Sequence, residues 1–325
     1  MDHRKRTIRA GLLGASSVST YAMIEPARRN ENIEVVAVAA RDPERAHLFA
    51  QKHGIAEVAS SYSDLIERTD LDLIYIGLPP IQHAHWALRS LEAGKAALCE
   101  KPLAINASEA EEMVSMATTT ARPLIEALHY RFHPTMARAL EIVRCDLGPL
   151  RSMQATVASP APTDPDDIRW RADLGGGALL DLGCYAVHAL RTLAGGEPVI
   201  RAASRIMRSG VDLTTHATLA FDRCEHARIL CSFDSAAFIN SLRVVGERGT
   251  LDIEGFMLPQ RGGVLRLTIG GRTHESPLAA VTTYDEQLAH VAQVLHDERL
   301  PLTGGADGIA NARALDAIRI AAERS

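Results

Sequence analysis

Apolar residues in the first 127 positions come in short unbroken runs. Those at 8–13 (IRAGLL), 35–40 (VVAVAA), 73–78 (LIYIGL), 96–99 and 124–128 read as strands buried on both faces, with a shorter one at 56–59. The stretches between them have helical spacing: one running to about residue 29, then 43–53, 81–93 and 108–117. Asp42 is placed to cap the second, with Pro43 at its first position, and Gly94 follows the end of the third. Strict alternation of strand and helix predicts an α/β doubly wound parallel sheet with right-handed crossovers.

The rhythm changes after Pro149. Runs at 152–157, 201–206, 214–221, 228–233, 241–246 and 264–269 are strand-like, several at hairpin spacing. A long helix at 178–193 interrupts them, and an Ala-rich helix at 307–322 follows. This predicts an α+β domain with a large, mostly antiparallel, open-faced sheet. The boundary is placed near residue 128, giving domains 1–127 and 128–325, as a chain of 325 residues allows.

Composition narrows the function. Lys and Arg total 35 against 40 Asp and Glu, a net charge of −5, which disfavours a nucleic-acid partner. The five cysteines (Cys99, Cys145, Cys184, Cys224, Cys231) are odd in number and widely spaced, which reads as reduced thiols in a cytoplasmic protein. The stretch Met1 to Arg9 is basic and polar with no apolar run behind it, and no run reaches a membrane-spanning length, so no membrane partner is expected. His83, His85, His129 and His133 lack partners at metal-ligand spacing, so no metal is expected.

Four features carry chemistry. The turn after the first strand, Gly11 to Ser19 (GLLGASSVS), has one glycine of a dinucleotide fingerprint in frame, Gly14; Ser16 and Ser19 stand for the others. Residues Gly14, Ala15, Ser16, Ser17 and Val18 are small or slim enough for a pyrophosphate to approach the helix N-terminus, although a structural turn looks much the same. The second strand ends in Arg41 where an NAD site would place an acid; Arg41 suits a 2′-phosphate and favours NADP over NAD, with a solvated surface Arg as the alternative. Glu100-Lys101-Pro102 stands at the carboxyl end of the fifth strand, where such sheets bind ligands. Finally, Trp170-Arg171 and Gly175-Gly176-Gly177 precede Asp181, Tyr185 and His188, which share one helix stripe.

With these residues in view, the chain resembles the Gfo/Idh/MocA oxidoreductases, in the branch of glucose–fructose oxidoreductase and dihydrodiol dehydrogenase. The resemblance covers nearly the whole chain, through the glycine turn, PPIQH at 79–83, AGKAALCEKPLA around Lys101, EALHYRFHP at 126–134 and IRWRADLGGGALLDLGCYAVHALR at 168–191. It implies an N-terminal Rossmann domain binding NADP or NAD, and a C-terminal domain that carries substrate and forms a homodimer or homotetramer through its sheet. Leu78, Pro79, His83, Glu100, Lys101, Pro102, Trp170 and Arg171 would line the cofactor, the Lys-Pro bond often being cis. Arg131, Asp181, Tyr185 and His188 would meet a carbohydrate-like small molecule together with Lys101. His188 is also readable as a satisfied core histidine. Pro80 replaces the family's usual Asn, and the serines alter the glycine turn.

The expected chemistry is hydride transfer between nicotinamide and a carbinol or carbonyl carbon of a sugar or cyclic polyol. Tyr185 would exchange the proton, Lys101 would polarise the oxygen and pull the phenol below its ordinary pKa of about 10, and Asp181 would hold Lys101 or a substrate hydroxyl. Two alternatives stand beside it: an NAD-retaining glycosidase of the same fold, and a non-catalytic dinucleotide sensor. Intact Lys101 and Tyr185 argue against a sensor.

Overall fold

A computed structural model describes residues 6–324; the basic start at 1–5 lies outside the described residues. Two compact units form. The first takes the described residues up to Ala104, with Ser108–His129 and Tyr284–Ile309; the second takes Ile105–Ala107, Tyr130–Thr283 and the residues from Ala310 on. The sequence pattern predicts one boundary near residue 128, but 284–309 rejoins the first unit. Specific contacts draw it back. The Thr303 hydroxyl donates to the Glu126 carbonyl (2.6 Å), and Arg29 pairs with Asp285 (2.7 Å). Gly304 (φ +85°) passes so near the Leu124 carbonyl that a Cβ would lie 2.4 Å from it.

The first unit is built on six parallel strands: β1 (Ile8–Leu13), β2 (Ile33–Ala39), β3 (Glu57–Val58), β4 (Leu73–Ile76), β5 (Ala96–Cys99) and β6 (Leu124–Glu126). Their order is β3-β2-β1-β4-β5-β6, the doubly wound arrangement. All of β4 and β5 is buried, as their unbroken apolar runs require. Truncating Leu12 or Ile74, both fully enclosed, is a change of the kind that costs about 2–5 kcal/mol. The helix Pro43–His53 starts as read: Asp42 accepts from the N–H groups of Glu44 (3.0 Å) and Arg45 (3.4 Å).

The second unit holds eight strands: β7 (Leu150–Ala158), β8 (Val199–Arg208), β9 (Val211–Phe221), β10 (Cys224–Ser232), β11 (Ile239–Gly246), β12 (Gly249–Glu254), β13 (Val264–Ile269) and β14 (Arg272–Pro277). The order is β14-β13-β12-β11-β7-β10-β9-β8, and only the β7–β10 pairing is parallel. Helix Cys184–Ala194 packs on β7 and β10, and helix Pro134–Cys145 on β12. Gln154, Ser241, Arg243, Asp252, Glu254 and Arg266 line an open depression on the sheet.

Helix Pro134–Cys145 is capped by a histidine. The Thr135 N–H donates to His133 Nδ1 (3.1 Å), so the proton sits on Nε2, which donates to the Val281 carbonyl (3.1 Å). Burial lowers the His133 pKa, against the pull of the Val281 and Ala279 carbonyls. The unfolded chain therefore binds a proton more readily than the folded one. This stability is complete above the ordinary histidine value of about 6.5 and drains away as pH falls towards the lowered folded value. Replacing His133 with Asn, a capping residue that does not titrate, is expected to flatten the fall in melting temperature between neutral and acid pH. An unchanged pH slope in calorimetric melts would contradict this.

Candidate functional site

In the first unit the strand order reverses beside β1, so the carboxyl ends of β1 and β4 open the crevice where such sheets bind ligands. Gly14 (φ +107°) makes the turn there. Its N–H donates to the Ala39 carbonyl (2.9 Å), and a Cβ would lie 2.7 Å from the Gly77 carbonyl oxygen, so glycine alone fits. The serines that stand for the missing glycines close the turn. Ser16 Oγ accepts from the Ser19 N–H (3.3 Å), and the fully buried Ser19 hydroxyl donates to the Gly14 carbonyl (2.9 Å). Ser17 and Val18 then open a helix of turns Ser17–Ser19, Thr20–Ile24 (a π turn) and Glu25–Ala27. The first N–H groups of a helix have no intrahelical acceptor and suit a phosphate. A dinucleotide fits this turn: backbone can approach closely at Gly14, and Ala15 adds little bulk.

Arg41, exposed, follows β2, and Arg45 lies four residues on, its Nε donating to the Ala15 carbonyl (3.1 Å). Burial raises the Tyr62 phenol, while the Arg41 backbone and the charges of Arg41 and Arg45 pull it back. The Tyr62 ring meets Trp86 edge-on at 5.0 Å. Sequence reasoning missed Arg45; the signal was its spacing of four from Arg41 across a helix start.

The Lys101 turn is held at each residue around it. Tyr75 donates to Glu100 Oε1 (2.8 Å), the Lys101 N–H to Glu100 Oε2 (3.3 Å), and the Leu103 N–H to Glu126 Oε1 (2.9 Å). The Lys101–Pro102 bond is cis. Burial and the nearby Glu100 push the Tyr75 phenol well up; burial, with Glu126 and Glu100, does the same to the Cys99 thiol. His83 is fully buried, its ring nitrogens 2.8 Å from the carbonyl oxygens of Pro102 and Leu78. It thus acts by tying the Leu78–Pro79 segment to the Lys101 turn; its enclosed ring is not a surface for a ligand. Burial lowers its pKa against both carbonyls. Tyr75 and Glu126 are further residues that sequence reasoning missed, because each sits in a strand and reads as core.

In the second unit, a π turn (Leu179–Gly183) carries Asp181, and Tyr185 lies in the first turn of the α segment after it, only 4% exposed. Its ring packs on Tyr130 at 5.9 Å. His188, 1% exposed, has Nδ1 2.5 Å from the Tyr130 hydroxyl, which makes it a bonded core histidine in this structure rather than a substrate contact. Asp181 Oδ2 accepts from Arg169 Nε (3.0 Å), and Arg169 Nη1 reaches Asp167 (3.0 Å). Trp170 donates to the Pro162 carbonyl (3.1 Å) and packs edge-on against Phe233, with the Arg208 guanidinium 5.3 Å from its centroid. Arg171 pairs with Asp173 (2.7 Å) on the surface. Arg131 is half-buried in the turn His129–Phe132. Lys101 and Tyr185 belong to different units.

Among the described residues no group of three His, Cys, Asp or Glu could hold a metal ion, and no helix is long and apolar enough to cross a membrane. Two family models match: the Gfo/Idh/MocA oxidoreductase family, NAD-binding Rossmann fold, over residues 8–127, and the Gfo/Idh/MocA C-terminal domain over 137–252. The chain is 31% identical to a D-xylose 1-dehydrogenase (NADP(+)) of Haloferax volcanii over 96% of this chain and 97% of that one. It is 36% identical to a trans-1,2-dihydrobenzene-1,2-diol dehydrogenase of Sus scrofa over 76% and 72%. The crystal structure of a 3-ketoreductase from Actinomadura kijaniata, in complex with NADP and TDP-benzene, superposes with a TM-score of 0.90 at 26% identity, covering 97% of this chain and 98% of that one.

Proposed function

The chain belongs to the Gfo/Idh/MocA oxidoreductase family, and on that premise we propose that it moves a hydride between NADP and a carbinol or carbonyl carbon of a sugar, a sugar derivative or a cyclic polyol. The observation that carries this reading is the Lys101 turn, where a cation at the carboxyl end of β5 is fixed through its neighbours on both sides. When NADP is bound, the hydride chemistry is the nicotinamide's. The chain supplies the rest. Lys101 stabilises negative charge on the reacting oxygen, and Tyr185 gives or takes the proton at that oxygen. Asp181 holds a substrate hydroxyl. The lining of the sheet in the second unit selects the substrate, and self-association through that sheet is what the family resemblance implies.

Preference for NADP rests on Arg41, a cation where an acid would serve NAD, with Arg45 four residues on in the helix that follows. The NADP-dependent xylose dehydrogenase and the NADP-bound 3-ketoreductase support it. Calorimetry on the wild type, Arg41→Ala and Arg45→Ala tests the assignment. Loss of one charge-assisted contact is expected to weaken NADP⁺ by about 10- to 100-fold, with NAD⁺ affinity unmoved. Binding of neither nucleotide to the wild type would sink the oxidoreductase reading; equal losses for both nucleotides would sink only the preference.

A further inference from the structure

The helix that carries Asp181 and Tyr185 begins without a cap of its own. Its entry is Gly175-Gly176-Gly177, and glycine has no side chain to accept from the first free N–H groups. The acceptor comes instead from another strand. On β9, Asp212 Oδ2 accepts from the Leu179 N–H (2.7 Å) and from the Thr215 hydroxyl (2.7 Å). Its other oxygen fills the space a side chain at 177 would need: a Cβ there would fall 2.2 Å from Oδ1. Gly177 also holds φ +113°, a conformation open to little but glycine. Gly176 is required for a separate reason, since its Cβ would lie 2.6 Å from the Arg169 carbonyl oxygen. The glycine run is therefore a site cleared for a carboxylate and for the 168–169 backbone.

We propose that Asp212 is a positioning residue for the proton-exchanging Tyr185, acting by capping the helix entry from β9. The step from cap to phenol is short. From Leu179 the chain reaches Tyr185 through the π turn Leu179–Gly183, a wider winding of the helix, and Cys184. A carboxylate at the helix N-terminus also meets the positive end of the helix dipole. Burial raises the Asp212 pKa, while the Thr215 hydroxyl, the Leu179 N–H and the nearby Arg205 charge favour its ionised form. Without the cap the π turn frays, and Asp181 and Tyr185 lose their register while the rest of the helix stays packed on β7 and β10. The role rests on the proposed reduction or oxidation of a sugar-like substrate with Tyr185 as its acid or base.

The test is steady-state kinetics and amide hydrogen exchange on the wild type, Asp212→Ala, Asp212→Asn and Thr215→Val. Asp212→Ala is expected to lose about 10²-fold in kcat, the scale of a misplaced catalytic group, with little change in KM for NADP because the Gly14 turn and Arg41, its main grips, lie in the first unit. Amides at 179–185 should exchange faster, and those later in the helix should not. Asn is as good a cap as Asp, so Asp212→Asn should restore most of kcat and the protection. Thr215→Val, which loosens the carboxylate without touching the helix, should move kcat the same way by less, and it serves if Asp212→Ala does not fold. Unchanged kcat in Asp212→Ala, or in Thr215→Val should Ala fail to fold, would overturn the proposal. So would an equal loss in folded Ala and Asn variants. A wild type without turnover on any polyol would overturn the oxidoreductase reading instead, and faster exchange in the variant would then leave Asp212 as a helix cap and nothing more.

Discussion

Lys101→Ala is expected to lower kcat by about 10³-fold, the upper range for removing one charge-stabilising group from a reacting oxygen. Nucleotide affinity should hold, and this contrast is the informative part. The turn around residue 101 keeps bonds that the substitution does not touch: Glu100 is held by Tyr75, Leu103 by Glu126, and Pro102 faces His83. Alanine therefore removes an ammonium and leaves its setting. Lys101→Arg should not rescue, because a planar fork on a longer arm does not place its charge where a point cation stood. Single-turnover absorbance at the reduced nicotinamide, with calorimetric binding of NADP⁺ alongside, reads both quantities. A variant that still turns over at a tenth of the wild-type rate, about 1.4 kcal/mol of barrier, would remove Lys101 from the chemistry.

Tyr185→Phe should be nearly as damaging, by about 10²- to 10⁴-fold in kcat, since it deletes the proton-exchanging hydroxyl. The ring is buried and rests on Tyr130, and phenylalanine keeps that contact. Melting temperature is thus a poor reporter of this change and kcat a good one. The distinguishing mark is the pH profile. The limb of the wild-type kcat profile that belongs to the proton-exchanging group should vanish in Tyr185→Phe, whereas a purely structural tyrosine would scale the profile without altering its shape. Persistence of that limb would return Tyr185 to the core.

Elements whose apolar pattern is decided locally were readable from the chain. Strands Ile8–Leu13, Ala96–Cys99 and Val264–Ile269 and helix Pro43–His53 lie where their runs and caps place them. Strand Arg272–Pro277 was not readable, because it is an exposed edge: RTHESP has no apolar residue to bury, and its pairing with β13 supplies the whole signal. Helix Thr283–Leu295 was missed along with the return of the chain to the first unit, which depends on contacts far away in sequence. The same division runs through the site. Gly14, Arg41, Lys101 and Tyr185 announce themselves by position after a strand or on a helix stripe. Asp212 does not, since the cap it provides is written 33 residues from the amide it serves. The serines after Gly14 were legible only as departures from a pattern; their bonds to one another and to Gly14 make them parts of the turn.

The return of residues 284–309 also sets a clock on synthesis. A nascent chain emerging from the ribosome at roughly 5–20 residues per second ordinarily folds its leading domain while the rest is being made. Here the leading sheet lacks the segment whose Thr303 and Gly304 lie against β6 until the second unit has been translated in between. For that interval the edge of the sheet at Leu124–Glu126 waits uncovered, and vectorial, domain-by-domain folding gives way to a closure that completes only when nearly the whole chain is out.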